Sequence, residues 1–310
     1  MCGENIPNNN GVIKRKDCNR FHLNVNTLVQ ELGVHKLQVI LMKALAIFLI
    51  VPLVGLSAHE NNGRGTKAIS LANAFVALAD NPWAVSYNPA GLVQIRTPEL
   101  ATFYVPQQFG IPELRTISLS AAYAVNPGTV GAFIEQFGFD LYRTTNIGLG
   151  YGVNLETGVS VGAAINVERT AIARYGVSND VTLDVGLLGR PLDKLTIGFC
   201  LKNITAVRIG LNHERLPQYL AIGTCYSPFK NFCLVTEVEK DVQFPLVVKA
   251  GIEETFFEFL SLRCGVANNP DKFSAGIAIR YSSIEFGYAG YSHSDLGWTH
   301  QIEVAIQWGS

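Results

Sequence analysis

The residues with chemistry to offer are charged side chains set at alternating positions in otherwise uncharged stretches. Glu168, Asp184, Lys202, Glu237, Lys249, Arg263, Arg280 and Glu303, with Glu239, Glu253 and Glu285, each fall on the small or polar face of a segment whose other face is apolar. Charges of both signs on one inner face pair with each other and with whatever fills the space between them, and mixed signs argue against an ion-selective pore. Catalysis needs a nucleophile and a base held together. His213, His293 and His300, with Ser292 and Ser294 beside His293, are close only along the chain, so no catalytic residue is assigned and no enzyme is expected. The alternating Gly148, Gly150 and Gly152 leave packing space on one strand face and do not form a phosphate loop. The six cysteines lack metal-ligand spacing, with Cys2 and Cys18 near the start and Cys200, Cys225, Cys233 and Cys264 spread singly. No metal or cofactor site is expected. In an oxidising compartment two of these thiols can join, and the sequence leaves the pairing open.

The elements that position the charges follow from composition. The chain has 310 residues, 48% hydrophobic and only 16% charged, a balance that suits a membrane environment. After residue 60 no stretch of ~20 apolar residues occurs, so helices do not cross the bilayer and a closed barrel is the remaining solution. A net charge of -1 without basic clusters sets nucleic acid aside. Residues 42–58 read as a signal peptide: Lys43, an apolar run over 44–54, then Gly55-Leu56-Ser57-Ala58, with cleavage after Ser57 or Ala58. Residues 1–41 read as an upstream extension from a misassigned start codon. The competing readings are a long n-region or an uncleaved anchor.

Residues 59–97 form an N-terminal helical plug segment. Ala68, Leu71, Ala72, Phe75, Val76 and Ala79 share three-four spacing, which predicts a helix over 68–79, and Asp80-Asn81-Pro82 stops it. Asn88-Pro89-Ala90-Gly91 makes a second break. Phe75, Asp80, Asn81, Pro82, Asn88, Pro89 and Gly91 are therefore the candidate plug and hinge residues.

From residue 98 to the end the period is two, and 98–310 is read as an all-β, antiparallel transmembrane barrel of about fourteen strands, each ~10 residues long. They lie near 98–108, 114–125, 129–139, 143–154, 158–168, 180–188, 193–203, 217–226, 231–240, 245–253, 258–267, 272–281, 283–291 and 299–308. Connections after even strands are short, whereas those at 169–179, 204–216 and 292–298 are longer. Short periplasmic turns opposite longer external loops mark outer-membrane barrels, and an even count brings both barrel ends to the periplasmic side. Tyr104, Tyr142, Tyr226, Tyr281 and Trp308 supply aromatic girdles near strand ends.

Two stretches carry a family resemblance. Gly65-Thr66-Lys67-Ala68-Ile69-Ser70-Leu71-Ala72-Asn73-Ala74-Phe75-Val76-Ala77-Leu78-Ala79-Asp80-Asn81-Pro82, running on to Tyr87-Asn88-Pro89-Ala90-Gly91-Leu92, resembles the N-terminal signature of the PorV/PorQ group and of the FadL-like, long-chain fatty-acid transporter barrels. Asp295-Leu296-Gly297-Trp298-Thr299-His300 resembles the end of PorV/PorQ-type chains. The resemblance implies a 14-stranded barrel with its N-terminal segment in the lumen, in the outer membrane of a gram-negative bacterium. For a PorV/PorQ-type protein it implies a part in type IX secretion or surface assembly; the alternative is a FadL-like channel for hydrophobic or small solutes. The implied partners are outer-membrane lipid, the barrel-assembly and export machinery, and either secretion-system components or a hydrophobic ligand.

Overall fold

The computed structural model describes residues 63–309 apart from 157, 206–207, 210–213, 216–217 and 243. The expected upstream extension 1–41 and signal peptide 42–58 lie outside the described residues. In chain order the strands are β1 (Glu99–Val105), β2 (Thr116–Val125), β3 (Gly128–Gly138), β4 (Tyr142–Glu156), β5 (Val159–Ile172), β6 (Gly176–Leu192), β7 (Leu195–Lys202) and β8 (Arg208–Ile209). There follow β9 (Glu214–Arg215), β10 (Tyr219–Tyr226), β11 (Phe232–Asp241), β12 (Val247–Phe256), β13 (Leu260–Ala267), β14 (Lys272–Tyr281), β15 (Ile284–His293) and β16 (Gly297–Gln307).

All but β8 and β9 form one closed antiparallel barrel of fourteen strands, in which β1 pairs with both β2 and β16. Closure leaves no unpaired sheet edge, the requirement for a β structure in lipid. β8 and β9 make a small separate hairpin between β7 and β10. Among the described residues no helix is long and apolar enough to cross a membrane.

Strand alternation sorts side chains to the two sides of the wall. On β2, Ile117 and Tyr123 are 59% and 58% exposed, while Ser118 and Ser120 between them are buried in the lumen. Ile147, Leu149, Ile165, Val167, Phe273 and Ile279 continue the exposed apolar belt. A soluble sandwich would bury such residues between sheets. Here they face outward, so the apolar surface meets the surroundings and the interior is filled another way. Tyr104 and Tyr142 lie at one rim of the belt, and Tyr226, Tyr281 and Trp308 at the other.

The strand positions match the alternation, but two of the connections expected to be long are short: that at 292–298 shrinks to residues 294–296, since Ser292 pairs with Trp298. The connection expected over 169–179 shrinks to residues 173–175, because Arg169 pairs with Asn179 and Ile172 with Gly176. The polar side chains there interrupt the apolar pattern without interrupting the backbone ladder, which depends on N–H and C=O alone. The longest connection, 203–218, stands at the same end of the barrel, here called the loop end. The opposite, turn end carries tight connections such as 126–127 and 282–283.

Replacing Ile165, mid-strand on the exposed belt of β5, by arginine is expected to destabilise the lipid-embedded barrel by about 2–4 kcal/mol. Denaturant unfolding in vesicles measures this, and an unchanged midpoint would contradict a lipid-facing belt.

Candidate functional site

The lumen is filled by residues 63–97. Helix α1 (Thr66–Ser70) is only five residues long, which corrects the helix expected over 68–79. Ala72 and Asn73 take left-handed φ values of 54° and 62°, ending the helix after one turn. The three-four apolar spacing does not enforce a longer helix because Ile69, Ala74 and Ala77, off that stripe, are buried as well. A segment enclosed on all sides has no wet face to set a period. A second helix, α2 (Ala84–Tyr87), and a 3-10 turn over Pro89–Gln94 complete the plug.

Irregular backbone leaves N–H groups without helical partners, and buried ones must be answered from elsewhere. Turns within the plug answer many of them, and the barrel wall answers those of Thr66, Phe75 and Val76 and also donates to two plug carbonyls. Glu237 on β11 accepts from the N–H groups of Phe75 and Val76 at 2.9 and 2.8 Å. Glu303 on β16 accepts from the Thr66 N–H, from Thr66 Oγ1 at 2.8 Å and from Trp83 Nε1 at 2.8 Å. Ser120 on β2 donates to the Pro82 carbonyl at 3.0 Å, and Lys202 on β7 donates to the Ser86 carbonyl at 2.5 Å.

The candidate plug residues each have a defined contact. Phe75 meets Tyr87 edge-on, with centroids 5.2 Å apart. Asp80 binds Lys67 at 2.7 Å. The Asn81 side chain accepts from the Trp83 N–H at 3.1 Å and its carbonyl accepts from Ala84, which starts α2. Asn88 is fully buried; its amide donates to the Val76 and Leu187 carbonyls and its side-chain oxygen accepts from the Ala90 N–H. The wall is cut back where plug backbone touches it. A methyl group on Gly162 would lie 2.3 Å from the Pro89 carbonyl carbon, and one on Gly198 would lie 2.3 Å from the Val76 oxygen. Gly91 packs equally closely on Ala79. Gly152 makes room for the Pro89 carbonyl and Gly150 for the Val85 side chain, while Gly148 makes room for the ring of wall residue Phe133.

The wall charges form cross-strand pairs. Glu237 and Lys249 are direct register partners joined at 2.9 Å, and Lys249 also binds Glu239 at 2.8 Å. Glu253 and Arg263 are partners joined at 2.6 Å, and Arg280 and Glu285 at 2.5 Å. Arg263 also reaches Glu285 at 3.5 Å, and plug Lys67 reaches Glu253 at 3.3 Å. Asp184 accepts from Asn166 and from the Asn203 N–H, and Glu168 lines an open cavity. The inward charge pattern missed Arg64, Lys67 and Glu135. Arg64 binds Glu135 at 2.8 Å and stacks over Phe133. Glu135 shares the inner face of β3 with Gly131 and Phe133, a parity visible in sequence, whereas Arg64 and Lys67 belong to no alternating segment.

Burial works against the Lys67 ammonium, but Asp80 and Glu253 outweigh it and hold its pKa above the ordinary lysine value. A raised folded-state value means this link is at full strength at neutral pH and is lost only as pH rises through that value.

Two cavities flank the plug. One at the loop end, about 440 Å³, is lined by Phe103, Phe133, Phe137, Tyr219 and Tyr291 together with Arg64, Glu135, Glu168, Asp184 and Lys202. The other, about 250 Å³ at the turn end, is bounded by Lys67, Asp80, Glu99, Glu253, Arg263, Glu285 and Glu303. Between them lie Trp83, Phe75, Leu71 and Leu92, all fully buried.

The histidines are occupied elsewhere. His293 Nδ1 accepts from the Asp295 and Leu296 N–H groups, and His300 Nδ1 meets the Tyr288 hydroxyl at 2.6 Å. Ser292 bonds to Phe273 backbone and Ser294 to Asp295. His213 lies outside the described residues.

No family model matches the sequence, and no curated protein does. Solved structures do. The monoaromatic hydrocarbon channel CymD superposes with a TM-score of 0.59 at 13% identity, over 81% of this chain and 98% of that one. The Pseudomonas putida toluene transporter TodX gives 0.59 at 10%, over 81% and 99%, and a Pseudomonas aeruginosa FadL homologue 0.57 at 12%, over 83% and 100%. The fold is that of the FadL-like barrels. The narrower PorV/PorQ resemblance has no counterpart among these neighbours.

Glu303→Ala leaves the Trp83 indole and the Thr66 donors without their carboxylate in a FadL-like lumen. We expect a loss of about 2–3 kcal/mol and cleavage within residues 63–97 by protease added to folded protein; wild-type resistance in the variant would contradict the lock. Raising the pH to the ordinary lysine value should leave the wild-type plug protected, and early release would contradict the Lys67 assignment.

Proposed function

We propose that this protein is an outer-membrane channel for small, largely apolar solutes, closed in its resting state by residues 63–97. The observation that carries the reading is a closed fourteen-stranded barrel whose plug separates a loop-end cavity from a turn-end cavity. The loop end faces outward and the turn end faces the periplasm on this reading, following the usual asymmetry of loop lengths.

The loop-end cavity is the entry site. Its volume of about 440 Å³ falls in the range of small-molecule sites, and its aromatic walls offer apolar surface to a ring-sized solute. Support also comes from the neighbours, named as a monoaromatic hydrocarbon channel and a toluene transporter, which share the fold at low identity. Passage requires part of the plug to yield, and two ion pairs tie it to the wall, Arg64–Glu135 toward the loop end and Lys67–Glu253 toward the turn end.

A second reading, a PorV/PorQ-type part in secretion or surface assembly, is favoured by one observation: plug residues between the cavities are fully buried, as a sealed scaffold needs. The residues 295–300 that resemble PorV/PorQ chains add to it.

The experiment is uptake of labelled toluene by cells whose own hydrocarbon channels are deleted, with and without this protein in the outer membrane. The channel reading expects uptake several-fold above cells lacking the protein and lower uptake when Phe133→Glu replaces a ring of the cavity wall with a carboxylate. Background uptake by a correctly inserted protein would contradict it and favour the scaffold.

A further inference from the structure

Cys225 and Cys233 are isolated in the sequence, but the barrel brings them together. β10 and β11 are adjacent, with Cys225 opposite Val235. Cys233 thus sits diagonally across from it, two positions along on the same face of the wall. That face is the inner one: Cys225 shares parity with Gly223, which touches plug residue Val76, and Cys233 with Glu237, which binds the Phe75 and Val76 N–H groups. The two Sγ atoms are 2.8 Å apart, and Ser227 Oγ, the other polar neighbour of Cys225 Sγ, is 3.9 Å away. Both cysteines are buried in an apolar cluster with Leu71, Ala74 and Ala77 of the plug and Val235 of the wall.

We propose that Cys225 and Cys233 are a modification site, joined as an intrachain disulfide that staples β10 to β11 beneath the plug. The inference rests on the outer-membrane reading, since export through an oxidising compartment supplies the reactant. The oxidant is a protein disulfide of that compartment. One thiolate attacks it to give a mixed disulfide, and the second thiolate displaces the oxidant as a dithiol. Two electrons pass to the oxidant, the cysteines lose two protons, and one S–S bond forms.

Burial fixes when this happens. A protein oxidant cannot reach sulfurs enclosed between wall and plug, so the bond forms on the chain in transit, before the barrel closes. The thiols are near neighbours in sequence, so the loop to be closed, residues 225–233, is short. The same enclosure keeps reductant out of the folded protein. Cys200, enclosed with Val76 and Ala221, and Cys264 on β13 have no such partner in the described structure and serve as internal controls.

The test begins with fractionation. Protein recovered from the outer membrane without reductant is unfolded in iodoacetamide, digested and weighed. The expected result is a linked pair of peptides holding Cys225 and Cys233, lighter by two hydrogens than the separate thiol peptides, with Cys200 and Cys264 alkylated. In the folded protein a small dithiol should leave the link intact, and after unfolding the same dithiol should open it. Quantitative alkylation of Cys225 and Cys233 in outer-membrane protein would overturn the proposal. Absence of the protein from the outer-membrane fraction would instead overturn the location on which it rests. All arms use the wild-type chain, so no variant has to fold.

Discussion

A buried backbone N–H group with no partner costs more than most side-chain contacts return, and residues 63–97 place many such groups inside a barrel. Turns within the segment satisfy many of them. Wall carboxylates take those of Thr66, Phe75 and Val76, and that requirement organises much of the lumen. Glu237 caps the turn at Phe75 and Val76, so it must be buried and charged, so Lys249 must stand opposite it, and Lys249 in turn draws in Glu239. A second chain runs from Asp80 through Lys67, Glu253, Arg263 and Glu285 to Arg280. Removing one member of such a series strands a charge in a low-dielectric interior, which is why they stand or fall together.

The two faces of the wall therefore obey different rules. Outward, the strands need only be apolar, and Ile, Leu, Val and Phe serve interchangeably along the belt. Inward, several positions answer to a particular plug atom. Gly287 lies opposite Glu303 in register and leaves room for Thr66, whose hydroxyl would be 2.3 Å from a methyl group there. Gly162 and Gly198 do the same for Pro89 and Val76. A barrel whose inner face is shaped to one segment of its own chain is built to be occupied, and on the proposed channel reading solute passes only by shifting that segment.

Much of this was legible in the alternation alone. The fourteen strands fall within a few residues of their expected positions, because an exposed apolar belt imposes a strict period of two. The inward charges Glu237, Lys249, Arg263 and Glu303 were also legible as inward. Their pairing was not, since Glu253 finds Arg263 and Glu237 finds Lys249 only once hairpin register is set. The plug was legible as a segment but not as a shape: its buried stripe suggested one helix, while Ala72 and Asn73 turn the chain and Glu237 stabilises the result. Cys225 and Cys233 became neighbours by the same register, and the residues of the loop-end cavity come from strands as far apart in sequence as β1 and β16.

The central claim is that residues 63–97 are held in the lumen by wall carboxylates as firmly as the wall holds itself. Hydrogen–deuterium exchange on the lipid-embedded protein tests it most directly, read at the Thr66, Phe75 and Val76 amides. The account predicts exchange as slow as in the β11–β12 ladder, because those amides open only when the plug leaves Glu237 and Glu303. Exchange there at the rate of the unfolded chain would contradict it.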